Sequence, residues 1–129
     1  MKVLNPQILL GAILLILDQL SKYFFLSNYP HLISKNEGIA FSIPIPWQIS
    51  FSVGIVALWI IYKISKTEHI ENKWFLPLFT AGTLGNMADR IINNYLIDFI
   101  DLGFMPVFNL ADTYLSLAVL ILILENLKK

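Results

Sequence analysis

The sequence predicts an all-α membrane protein: four transmembrane helices, a small extracytoplasmic β-hairpin or cradle, and a structured loop between helices 3 and 4. Three observations predict it. The 129-residue chain is 57% hydrophobic, above the ~45–50% apolar content usual in soluble domains. The apolar residues gather into long runs, the signature of membrane spans and not of a large soluble core. The ionisable residues that interrupt those runs gather toward one face of the bundle that the runs would form.

A spanning helix needs roughly 20 mostly apolar residues, and four segments qualify, at about 7–26, 47–64, 74–92 and 111–124. The first carries Asp18 and Lys22 inside its apolar run, and no small-x-small cleavage site follows. It therefore reads as a span and not as a signal peptide. The second has no charge between Trp47 and Tyr62 and is preceded by Pro46. The third has Pro77 in its first turn, where a missing N–H costs little. The fourth ends in the apolar run 117–124.

Between the spans, residues 31–43 alternate weakly and are broken by Asn36-Glu37-Gly38, the pattern of a short hairpin. Residues 93–108 are apolar but interrupted by Asn93, Asn94, Asp98, Asp101, Gly103 and Pro106, which reads as a structured loop at the membrane interface. With no repeats, linkers or low-complexity tracts, residues 1–129 are expected to form one domain. With four spans, Lys2, Lys63, Lys66, Lys73, Lys128 and Lys129 share one side, against Lys22, Lys35 and Arg90 on the other. The excess of Lys and Arg on the inner side puts both termini in the cytoplasm. Segments 27–46 and 93–109 then face outward.

Several chemistries are excluded or weakened. The formal net charge is zero, so no global field points to nucleic acid or an acidic partner. The absence of Cys removes thiol nucleophiles, disulfides and thiolate metal sites. There is no His-Glu-x-x-His, and His31 and His69 fall on opposite sides of the membrane, so no metal site is expected. No Gly-rich phosphate loop is present. Ser21-Lys22 and Ser34-Lys35 are adjacent pairs whose side chains point apart, which supports a Ser–Lys dyad only weakly.

Charges in hydrocarbon are costly unless paired or wet, so the intramembrane ionisable residues must face one another or a water-filled cavity. Asp18 and Lys22, at i and i+4, share a helix face; they form a local ion pair, support a site, or do both. Asn86, Asp89 and Arg90 form one face of the third helix behind Gly82 and Gly85, small residues that allow close helix approach. They serve as interhelical glue or as part of a site. Taken alone, Asp112 reads as part of a capping box with Asn109. Asp98 is a single carboxylate in an apolar segment, where a solvated loop rarely places one. Asp101 reads as its solvated neighbour.

Together, Asp98 and Asp112 flank one short outer loop. Two carboxylates held close cannot both ionise cheaply and share a proton. One then acts as base on a water while the other, protonated, polarises a carbonyl, which is aspartic-protease chemistry. Asp112, in the first turn of a helix, feels the positive helix end that favours its charged form. Asp98 is the expected holder of the proton.

The motifs carry a resemblance over nearly the whole chain. Asp18-Gln19-Leu20-Ser21-Lys22, Asn36-Glu37-Gly38-Ile39-Ala40-Phe41-Ser42, the segment from Gly82 to Arg90 that contains Gly85-Asn86-Met87-Ala88-Asp89-Arg90, Ile97-Asp98-Phe99, and Phe108-Asn109-Leu110-Ala111-Asp112 stand in order. The chain resembles the lipoprotein signal peptidases, or signal peptidase II, a family of bacterial intramembrane aspartyl peptidases. Ile39 stands where the family usually has Ala. The resemblance implies an enzyme of the bacterial cytoplasmic (inner) membrane. Its substrate would be a diacylglyceryl-modified prolipoprotein, cut just before the lipidated Cys. It further implies Asp98 and Asp112 as the catalytic dyad. Asn36, Gly38, Asn86, Asp89, Arg90 and Asn109 would contact substrate or brace the site, and Asp18 and Lys22 would support the cavity. No metal or other cofactor is implied, membrane lipid is the surrounding partner, and oligomerisation is not required. The competing expectation is a small proton- or ion-coupled transport protein, since intramembrane Asp, Lys and Arg also build proton relays. Against it, the ionisable groups cluster near one face and the second helix contributes none. A structural subunit held by interhelical ion pairs would leave Asp98 unexplained. A presenilin-like peptidase would need a Gly-x-Gly-Asp motif, which is absent.

Overall fold

In the computed structural model the described residues are 2–37 and 45–128. They form four helices: α1 (Pro6–Asn28), α2 (Trp47–Ser65), α3 (Phe75–Asn93) and α4 (Leu110–Leu127), with two short strands, β1 (Ser34–Asn36) and β2 (Leu96–Asp98). Local chemistry sets the ends. The Asn5 side chain accepts from the Gln7 amide at 2.9 Å, and Pro6 opens α1, both favoured at a helix start. Pro46 precedes α2, and Pro77 lies in the first turn of α3. α3 stops at Asn94, whose φ of 65° turns the chain out of the helix while its amide donates to the Arg90 carbonyl at 3.0 Å.

The bundle encloses a cluster of polar side chains and is apolar outside. Ile8, Leu17 and Leu20 of α1, Val56 and Trp59 of α2 and Leu120 and Leu124 of α4 are exposed, whereas Asp18 and Lys22 are 0% and 1% exposed. This inverts the pattern of a water-soluble bundle and suits a hydrocarbon surround. α1, α2 and α4 are each long and apolar enough to cross a membrane. α3, expected as a span of the same kind, does not reach that hydropathy, because Thr80, Thr83, Asn86, Asp89 and Arg90 interrupt its apolar run. It is instead the most enclosed helix, with nine buried residues, and it packs against α1, α2 and α4.

Small residues make that enclosure possible. A Cβ at position 82 would come 2.7 Å from the Ala111 carbonyl oxygen, and one at position 85 would overlap the Asp18 carboxylate. Gly82 therefore lets α4 approach α3, and Gly85 lets α1 approach it, as the spacing predicts. At the other end of α3, Ile61, Phe75 and Ala118 form an apolar core with Ile64, Leu78 and Ile121 around it. There the buried Glu125 accepts from the amides of Glu71 and Asn72 at 3.3 Å each, which ties the α2–α3 connection to α4.

The strand at residues 34–36 is part of the segment expected to form a local hairpin, and among the described residues it pairs with β2. The pairing is antiparallel, with Ser34 opposite Asp98, Lys35 opposite Ile97 and Asn36 opposite Leu96. Gly38 and the remaining arm of the expected hairpin lie outside the described residues. β2 is buried along its whole length, so a segment read as loop is a covered strand. It is stapled from beyond by the Ile100–Phe108 bridge and by Phe99, which stacks on Phe25 of α1 with ring centroids 4.3 Å apart.

Candidate active site

The site is built where β2 meets the start of α4, roofed by β1 and backed by α1 and α3. Asn109 organises it. As N-cap of α4, its side-chain oxygen accepts from the Asp112 amide at 3.0 Å, and the Asp112 carboxylate accepts from the Asn109 amide at 3.1 Å. The predicted capping box is therefore present. The cap leaves the Asn109 amide nitrogen free to point the other way. It donates to Asp98 Oδ1 at 2.9 Å, to Asn86 Oδ1 at 3.1 Å and, longer, to the Ile97 carbonyl at 3.4 Å. Asn86 in turn donates to Asp112 Oδ1 at 3.0 Å. Two carboxamides thus bracket two carboxylates: Asn109 holds Asp98, and Asn86 holds Asp112. The capping box at Asp112 and the carboxamide contacts to Asp98 and Asp112 form one hydrogen-bonded arrangement.

Asp98 is 2% exposed. Burial first, and then the neighbouring Asp112 charge, push its carboxyl up to about 7. Hydrogen bonds from Asn36 and Asn109 and the charge of Lys22 pull the other way without cancelling those effects. The Asp98 carboxyl is therefore shifted toward its protonated form, by the two causes expected for a buried carboxyl beside a like charge.

Behind this bracket lies an ion cluster. Lys22 Nζ sits 2.8 Å from both Asp18 Oδ2 and Asp89 Oδ2, and 3.4 Å from Asn86 Oδ1. The i,i+4 pair is present, and its ammonium is shared with a second carboxylate. The carboxylates also take main-chain donors: Asp18 Oδ1 accepts from the Ala111 amide at 2.9 Å, and Asp89 Oδ2, the same oxygen that meets Lys22, accepts from the Ile97 amide at 3.1 Å. α1 thereby grips the start of α4, and α3 grips β2, through charge-assisted bonds to main-chain donors. Gln19 bridges Asp18, Asp89 and the Gly85 carbonyl at 3.1–3.3 Å. Sequence reasoning gave Gln19 no role. Its signal is an amide beside Asp18 in an otherwise apolar run, which needs an inward partner for the same reason that Asp18 does.

Arg90 faces the field of Asp112, Asp89 and Asp98. Asp101 stays exposed, accepting from the Gly103 amide at 2.9 Å in a tight turn, and does not join the cluster. Ser21 donates to the Asp18 carbonyl at 2.8 Å, a local helix bond that leaves no Ser–Lys pairing there. Among the described residues no group of His, Asp and Glu has the arrangement of a metal site. A cavity of about 270 Å³ opens onto the site between α2, α3 and α4. Asn86, Arg90 and Asp112 stand in its wall together with Ser50, Gly54 and Leu96.

The apolar exterior and the buried ionic cluster define a helical membrane protein with a polar centre near one end of its bundle. Comparison with known proteins names the family. Residues 10–128 match the family described as signal peptidase (SPase) II. A lipoprotein signal peptidase of Bartonella henselae is 32% identical, with 95% of this chain and 89% of that protein aligned. One from Caldicellulosiruptor bescii is 35% identical over 88% of this chain and 85% of its own length. A bacterial membrane enzyme solved by the in meso method superposes with a TM-score of 0.81 at 27% identity, covering 95% of this chain and 88% of that one. The chain belongs to the signal peptidase II family. It is a bacterial membrane peptidase, and the transport reading is set aside.

Proposed function

We propose that the chain is an aspartic-type endopeptidase that removes the signal peptide from diacylglyceryl-modified prolipoproteins, cutting just before the lipidated Cys, with Asp98 and Asp112 as its catalytic dyad. The observation that carries the dyad is the pair of carboxamide brackets: Asn109 on Asp98 at 2.9 Å and Asn86 on Asp112 at 3.0 Å. A cap alone would need neither Asn86 nor a buried Asp98.

The chemistry follows from which partner holds the proton. Asp98, with its carboxyl near 7, donates to the carbonyl oxygen of the scissile bond. Asp112 takes a proton from water, and the hydroxide attacks the carbonyl carbon. The tetrahedral intermediate collapses as the C–N bond breaks and the amine of the Cys leaves with the proton that Asp112 accepted. Loss of the second hydroxyl proton returns Asp98 to its acid form. Asn86 and Asn109 keep the two carboxyls at fixed orientation throughout, which avoids reorganisation during the reaction. Lys22, with Asp18 and Asp89, anchors the two elements that carry the dyad, β2 and α4. Arg90 lines the cavity beside Asn86 and Asp112.

α3 crosses the membrane as the fourth span, its polar face shielded by the other three helices. The Lys distribution puts both termini in the cytoplasm and the dyad at the extracytoplasmic face. A lipid-anchored Cys holds its peptide bond at that depth, so substrate and dyad meet at the interface. Residues 1–129 act as one peptidase domain, and one copy holds the whole site, so oligomerisation is not required. No nucleic acid takes part.

Purified chain in detergent is expected to cleave a diacylglyceryl-modified prolipoprotein. Asp98→Asn and Asp112→Asn should each lower the rate by roughly 10⁴-fold with the helical circular-dichroism signal unchanged. Cleavage of the unlipidated precursor at the same rate would refute the substrate, and normal turnover by either variant would refute the dyad.

A further inference from the structure

Ser50, the fourth residue of α2, is the outlier among the buried polar side chains. It is 4% exposed, and among the described residues its hydroxyl is the one buried side-chain N or O without a hydrogen-bond partner. A helical serine ordinarily satisfies its hydroxyl on the carbonyl a turn back. Ser52 does so to the Gln48 carbonyl at 2.8 Å, and Ser65 to that of Tyr62 at 2.7 Å. For Ser50 the carbonyl one turn back is that of Pro46, which already accepts the amides of Ile49 and Ser50. Ser50 lines the cavity that Asn86, Arg90 and Asp112 also line.

The α2 wall of that cavity consists of Ser50, Val53, Gly54 and Ala57, and Ser50 is its only polar side chain. Gly54 keeps the wall low: a Cβ there would come 2.7 Å from Met87 Sδ. An extended peptide lying against this wall brings N–H and C=O groups into an apolar space, and each needs a partner. The helix backbones around it are internally paired.

We infer that Ser50 is a substrate-binding residue, its hydroxyl forming a hydrogen bond with a backbone peptide group of the signal peptide beside the scissile bond. The inference rests on the proposed peptidase function. The hydroxyl stays unpaired in the free enzyme and is satisfied when the peptide occupies the cavity. Because a group that finds its partner only on binding improves affinity without serving the resting fold, Ser50 acts on KM and not on folding.

Ser50→Ala tests this against the lipidated prolipoprotein. The expected result is a KM raised about tenfold, the loss of one hydrogen bond in a dry site, with kcat within about twofold and Tm in detergent unchanged or higher. In the inactive Asp98→Asn background, adding Ser50→Ala should weaken the Kd for the same substrate by a similar factor. An unchanged KM and Kd would overturn the inference, as would a Tm lowered by several degrees, which would assign the hydroxyl to the resting fold. A wild-type chain that fails to cleave overturns the proposed function itself. A wild-type chain that cleaves no better than Ser50→Ala overturns only the role of Ser50.

Discussion

Asn109 joins two tasks in one side chain, since its oxygen caps α4 and its nitrogen holds Asp98. The cap was legible in the sequence from Asn109 and Asp112 three residues apart. The second half was not, because the partner Asp98 arrives on a strand whose burial depends on β1. The proton carried by Asp98 has consequences in pH. The rate should show an alkaline limb with an apparent pKa near 7 as Asp98 loses its proton. A rate still rising through pH 8 would contradict the assignment. For stability, the folded carboxyl near 7 lies above the ordinary 3.8. Its favourable contribution is therefore fully present below about 3.8 and is lost as pH rises to about 7. Asp98→Asn has no charge to bury, so its Tm in detergent should exceed that of wild type at pH 8, with the gap closing toward pH 4.

The decisive packing event among the helices is α1 against α3, where Lys22 meets Asp89 as well as Asp18. The i,i+4 spacing of Asp18 and Lys22 is visible on one helix. The third member, 67 positions further along the chain, is supplied by close approach at Gly85. Removing the ammonium leaves two buried carboxylates facing each other, and breaking a buried ion pair in this way costs about 3–5 kcal/mol. Lys22→Met is therefore expected to lower Tm in detergent by many degrees and to reduce activity through misplacement of β2 and α4. Thermal denaturation with activity measured on the folded fraction checks this. A Tm equal to wild type would mean that the cluster does not hold the elements together. β2 carries the opposite lesson. Leu96-Ile97-Asp98 is too short to declare itself a strand, and its partner Ser34–Asn36 lies some sixty residues upstream, a pairing that no local pattern encodes.

In the whole molecule, the apolar exterior and polar interior agree with a bilayer surround, and the Lys distribution sets the proposed orientation. A reporter active only outside the cytoplasm should be silent when fused at Thr67 and active when fused at Leu102. The reverse result would invert the topology. By itself the sequence determined the four helices to within a few residues, the inward-facing charges and the family motifs. These depend on periodicity, on end-capping chemistry and on the cost of placing charge in hydrocarbon, all of which act locally along the chain. Only the tertiary structure decided that β1 pairs with β2, that α3 is enclosed by its neighbours, that Lys22 serves two carboxylates and that the Ser50 hydroxyl has no partner among the described residues. Those outcomes come from distances between segments far apart in the chain, which close packing at Gly82 and Gly85 sets and which no single stretch of residues contains.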